Sequence, residues 1–105
     1  MNIGKLKTRI RIDANIVTQD AYGADVTGWQ TLAEVWADFR HVSGKEAISG
    51  DAIVSKARAS VRIRYRTGLT AGMRLVAGGT TYDVLAVLPD LNRREYVDLV
   101  CEAVS

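Results

Sequence analysis

One cysteine, one histidine, one proline and one phenylalanine are all that these residue types contribute to a chain of 105 residues. The lone Cys101 rules out an intrachain disulfide, and one cysteine with one histidine, His41, cannot make a structural zinc site. Aromatic side chains form 7% of the chain, few for a protein that would stack bases on exposed rings. The net charge of +2 is too small a bias to argue by itself for non-specific attachment to nucleic acid. No apolar run approaches the roughly 18 to 20 residues of a membrane-spanning helix. The start, Met1-Asn2-Ile3-Gly4-Lys5-Leu6-Lys7, lacks the apolar segment of a secretory signal, so neither export by that route nor membrane insertion is expected. Catalytic signatures are missing too: there is no G-x-S-x-G elbow, no glycine-rich phosphate loop with its Lys-Ser/Thr, and no H-E-x-x-H. His41 has no acid or thiol at a useful spacing, and Cys101 falls on an apolar face, where an unpaired cysteine behaves as a small hydrophobe. No enzyme activity, cofactor or metal is expected.

What is present is the composition of an ordinary globular domain, 48% hydrophobic and 25% charged. A chain of this length buries roughly two-thirds of its unfolded surface and forms one domain, residues 1–105. Strict alternation marks its strands. Leu6, Thr8, Ile10 and Ile12 oppose Lys5, Lys7, Arg9 and Arg11, and Ala33, Val35, Ala37 and Phe39 oppose Glu34, Trp36, Asp38 and Arg40. Between these runs, Asp20-Ala21-Tyr22-Gly23-Ala24-Asp25 suits the turn of a long hairpin. Val61, Ile63 and Tyr65 alternate with Arg62, Arg64 and Arg66, and Val97, Leu99, Cys101 and Ala103 with Tyr96, Asp98, Val100 and Glu102. Gly78-Gly79 is a two-residue hairpin signal between a short strand, Met73 to Ala77, and its partner Tyr82 to Leu88. That partner is apolar at nearly every position, as in a strand covered on both sides.

Ser43-Gly44-Lys45-Glu46 has capping-box spacing and predicts a short helix over 47–57, weakened by Gly50 and by a poor apolar stripe. Asp20 to Asp25 and Ser43 to Arg58, which carry glycine, few apolar anchors and polar tips, are expected to be mobile, assembly-facing segments, with Ser43, Gly44, Glu46, Gly50 and Asp51 the candidates in the second. The sum is a mainly β fold: a small barrel or sandwich of about six antiparallel strands with one short inserted helix. Its expected core comprises Leu6, Ile10, Ile12, Val35, Ala37, Phe39, Val61, Ile63, Tyr65, Leu75, Tyr82, Val84, Ala86, Val97, Leu99 and Cys101.

Strand periodicity places Lys5, Lys7, Arg9 and Arg11 on one face, and Arg62, Arg64 and Arg66 on another. Such ladders suit either a small nucleic-acid-binding barrel or a solvated face cross-paired with Glu34, Asp38, Asp98 and Glu102. The second is favoured, because the acidic residues stand at matching spacing. Trp36 suits a partner contact or local cover equally well. Trp36, Arg62, Arg64 and Arg66, projecting opposite the core, are the candidate partner contacts.

Read in order, several segments together resemble the phage head–tail joining family, the adaptors and stoppers between portal and tail. They are Val61-Arg62-Ile63-Arg64-Tyr65-Arg66, Gly68-Leu69-Thr70-Ala71-Gly72-Met73-Arg74-Leu75-Val76, Gly78-Gly79-Thr80-Thr81-Tyr82-Asp83-Val84, and Arg93-Arg94-Glu95-Tyr96 leading into Leu99-Val100-Cys101-Glu102. Gly4-Lys5-Leu6, Thr18-Gln19-Asp20-Ala21-Tyr22-Gly23, Trp29, Val35-Trp36-Ala37 and Ser43-Gly44-Lys45-Glu46 add to it, so the resemblance covers nearly the whole chain. It implies a structural virion protein with a small β-barrel core, localised to the neck after assembly in the host cytoplasm. It further implies rings of six or twelve copies, contacts with a portal or adaptor and with a tail completion or tail tube protein, and passage of the DNA genome without sequence specificity. In some members the segment after the second strand, here Ser43 to Arg58, closes the channel after packaging.

Overall fold

The computed structural model describes the backbone of residues 3–49 and 52–104 and the side chains of residues 4–40 and 57–104. A 3-10 turn, Ile3–Lys5, precedes six strands: β1 (Thr8–Gln19), β2 (Asp25–Ser49), β3 (Ala52–Arg64), β4 (Arg74–Ala77), β5 (Thr80–Pro89) and β6 (Tyr96–Ala103). All pairings are antiparallel, and the order β1-β2-β3-β6-β5-β4 returns to its start because β4 pairs with β1 as well as with β5. The sheet thus closes as a small barrel.

Burial follows the alternation of the sequence. Along β6 it falls on Val97, Leu99 and Cys101 and skips their neighbours. The core joins these to Ile10, Ile12, Ala37, Ala59, Val61, Ile63, Leu75 and Val84. Val35, Phe39, Tyr65 and Tyr82 pack against it partly buried, with Leu69, Met73, Ala77 and Val87. Removing each large aliphatic side chain from water contributes about 1.5 to 3 kcal/mol, which is why one inward face per strand suffices to hold the ring shut. Gly78 and Gly79, at φ of 56° and 84°, form the two-residue loop between Ala77 and Thr80, a backbone that a side chain would strain.

The expected helix is absent. Residues 43–49 continue β2 and residues 52–57 belong to β3, in register from Ser43 with Arg58 to Ser49 with Ala52. Serines and glycine are weak helix formers and Ile48, Ile53 and Val54 are β-branched, so the capping-box spacing loses to a ladder that satisfies backbone groups residue by residue. Of the mobile-segment candidates, Ser43, Gly44 and Glu46 lie on β2 with side chains outside the described residues, as does His41; Gly50 and Asp51 lie outside them altogether.

Two ribbons leave the barrel. Residues 15–19 of β1 pair with residues 25–29 of β2, and every side chain of 15–32 is exposed. At the tip, Asp20 Oδ1 accepts the N–H groups of Tyr22 (2.8 Å) and Ala24 (3.0 Å). The second ribbon is the β2–β3 hairpin beyond the barrel. Together they raise the radius of gyration to 15.7 Å, against about 13 Å for a compact domain of this length.

Candidate interaction surface

The outer face of the barrel is a set of charged rows. Arg62 on β3 stands between Asp38 on β2 and Asp98 on β6. Its Nε donates to Asp98 Oδ1 at 2.8 Å and its Nη2 to Oδ2 at 2.9 Å, while the guanidinium lies 3.7 Å from the centre of the Tyr96 ring. The hydrogen bond to Asp98 is the largest influence on this group. With the charges of Asp98, Tyr96 and Asp38 it outweighs the cost of burial and raises the arginine pKa above its ordinary value. A second row runs Arg58, Glu102, Asp83, Arg74 across β3, β6, β5 and β4, with Arg58 donating to Glu102 at 3.0 Å and Arg74 to Asp83 at 3.4 Å. Arg74 also lies 4.4 Å from the Trp29 ring centre, which ties the first ribbon to the barrel.

Cross-pairing therefore takes up much of the basic ladder. Arg9 approaches Glu34 at 3.9 Å, Arg11 forks onto Asp13 of its own strand at 3.0 Å, and Arg62 is held by Asp98. The seven-residue cationic groove of a nucleic-acid-binding barrel is thereby interrupted at three of its members.

Arg64 and Trp36 differ. Trp36 is 52% exposed on β2, and Arg64 is exposed on β3 and pairs with no carboxylate among the described residues. With Arg9, Glu34 and Val35 they line an open depression of about 250 Å³, in which the Arg9 guanidinium sits 5.5 Å from the Trp36 ring centre. Arg66, also exposed, lies just past the end of β3. The four contact candidates thus separate: Trp36 and Arg64 share one depression, Arg66 stands beyond it, and Arg62 is committed to Asp98.

Sequence reasoning missed a second surface. Tyr82 to Leu88, expected to be covered on both sides, is covered on one: Leu85 is 45% and Leu88 54% exposed. The register shifts between Val84 and Ala86, so Leu85 and Ala86 both oppose the partner at one step and turn outward, beside Val100 of β6. Nearby, Leu91 is exposed in the β5–β6 turn. Asp90 organises that turn, accepting N–H bonds from Asn92 (3.1 Å), Arg93 (3.3 Å) and Glu95 (3.3 Å). Desolvation pushes its carboxyl up, but the Glu95, Arg93 and Asn92 amides together with the Arg93 charge outweigh it and hold the carboxyl below its ordinary range. An apolar run was legible in the sequence; a bulge that turns part of it outward was not.

Cys101 is buried and its Sγ lies 3.6 Å from the Leu99 carbonyl oxygen. Burial pushes the thiol up to about 12, which leaves no thiolate to react. A maleimide at mildly alkaline pH is expected to leave the folded chain unmodified and to label it fully in denaturant; rapid labelling of the folded chain would show that β6 opens.

A sequence profile described as phage head completion protein matches residues 1–104. Over 75 residues the chain is 32% identical to head completion protein gp7 of Enterobacteria phage HK97, covering 71% of this chain and 67% of that protein. Two solved structures share the fold. One belongs to the virion of a native gene transfer agent particle, with a TM-score of 0.74 at 19% identity over 94% of this chain and 96% of that one. The other is the solution structure of protein SF1141 from Shigella flexneri 2a, with a TM-score of 0.70 at 24% identity over 100% of this chain and 98% of that one.

Proposed function

The chain belongs to the phage head completion protein family, and from that premise we propose that it acts as a ring of identical subunits in the neck of a tailed phage, between portal or adaptor and tail. The observation that carries this reading is the family match over residues 1–104 of a chain whose outer surface is built for contact and not for chemistry. Among the described residues no three His, Cys, Asp or Glu side chains gather where they could hold a metal ion, and the titratable groups on the outer face are largely spent on one another. Two ribbons projecting from the barrel offer reach toward the layers above and below, and the exposed Ile16, Val17, Tyr22 and Val26 on the first of them suit docking onto a portal, adaptor or tail component. The channel-closing role belongs, in this reading, to the β2–β3 hairpin around residues 43–58.

The test is complementation of a phage that lacks this gene. Without it, heads are expected to package DNA and then to lose it or to fail to acquire tails, and a wild-type copy restores plaque formation. Heads that keep their DNA and take tails normally without the gene would overturn the assignment.

A further inference from the structure

The closed strand order puts β2 and β5 on opposite sides of the barrel, three steps apart by either route: β2-β3-β6-β5 or β2-β1-β4-β5. Each carries an exposed surface that its own chain leaves uncovered. On β2 and its neighbours this is the depression of Arg9, Trp36 and Arg64; on β5 and β6 it is the ridge of Leu85, Ala86, Leu88 and Val100. The surfaces differ in shape, one hollow and one raised by a bulge. They also differ in charge: the depression carries Arg9 and Arg64 against one carboxylate, Glu34, whereas β5 and β6 carry Asp83, Asp98 and Glu102 with no basic residue of their own. An apolar run as continuous as Tyr82-Asp83-Val84-Leu85-Ala86-Val87-Leu88 suits a strand covered on both faces, yet the isolated chain covers one.

We propose that the missing cover is a second copy of this chain, whose Trp36 depression receives the Leu85–Leu88 ridge of its neighbour. Unlike surfaces on opposite sides of one subunit join head to tail, and such contacts close into a ring when the rotation allows; a two-fold contact would bring like surfaces together and stop at a dimer. Trp36 supplies the large flat anchor usual at the centre of an interface. Arg64, which pairs with no carboxylate among the described residues of its own chain, would lie beside strands whose charged residues are all acidic, and complementary charge fixes the order of assembly. The proposal rests on the neck-ring reading and adds which faces meet.

Three variants of the full chain test it: Arg64→Cys, Leu88→Cys and the double variant, each first shown by circular dichroism to be folded and each supplied to the phage that lacks the gene. Purified particles are treated with a short bis-maleimide, to which buried Cys101 is inert. The expected result is a ladder of covalently linked multimers from the double variant and monomer alone from either single variant. Dimers from Leu88→Cys alone would mean that ridge meets ridge and would overturn the proposal. So would an unlinked double variant in particles that hold wild-type amounts of the protein. Failure of the neck-ring reading looks different, because particles made with the wild-type chain would then contain no copies of it, or particles would form normally without the gene.

Discussion

Replacing Ile63 by alanine is expected to lower the free energy of unfolding by about 2 to 5 kcal/mol. Ile63 is 0% exposed and sits on the inward face of β3 between Ala37 of β2 and Val97 of β6. The loss combines the transfer energy of the deleted carbons with the cavity they leave, and a neighbour as small as Ala37 offers little bulk to collapse into it. Against a total stability of about 5 to 15 kcal/mol for a single domain, this is a large share. In urea the midpoint should fall while the dependence on denaturant stays unchanged. A loss below about 1 kcal/mol would contradict the burial described for this position. Phe39→Ala should cost less than the about 3 to 5 kcal/mol of a fully buried phenylalanine, because Phe39 is only partly buried, even though its edge-to-face contact with Tyr82 at 6.0 Å is lost as well.

Reversing the charge at Arg64 is expected to leave the fold intact and to abolish infectious particles. The side chain is exposed and pairs with no carboxylate among the described residues, so Arg64→Glu should change stability by no more than about 0.5 kcal/mol. At the proposed interface the same change would set like charges together at a cost of several kcal/mol, and a ring would repeat it at every contact. Arg62→Glu is the control with the opposite signature. Arg62 holds Asp98 by two hydrogen bonds, so its reversal places two carboxylates side by side within one chain and should lower the melting temperature. Thermal melts and plaque titres of both variants decide the matter: wild-type titres from a folded Arg64→Glu variant would remove this residue from the contact.

Much of the fold was legible because the decisive signals are local. Alternation in Val61–Arg66 and Tyr96–Ala103 gave the strands and most of their inward residues, and Gly78-Gly79 gave its hairpin outright. Ala59 escaped because the helix assigned to 47–57 made the alternation begin too late. That helix was misread for a physical reason: a capping box is a four-residue pattern, whereas the pairing of Ala47 with Val54 and of Ile48 with Ile53 exists only once the chain has doubled back. The contact candidates divided in the same way. Alternation placed Arg62 and Arg64 on one outward face, and only the neighbouring strand shows that Asp98 stands beside the first and Tyr96 beside the second.

The circular strand order also dictates when this protein can exist. β3 needs β6 beside it, and the pair Arg58 and Glu102 is separated by 44 residues; β1 needs β4, which is synthesised only after β3 is complete. Until residues 96–103 emerge from the ribosome, β3 and β5 each lack one neighbour, and the barrel cannot close over the apolar faces of the strands already made. Such distant pairings place folding in the slower, millisecond-to-second range and leave a nascent chain that is sticky rather than competent. Subunits of the proposed neck ring would consequently become able to assemble only once β6 has been made, which would couple the timing of assembly to the last of the six strands.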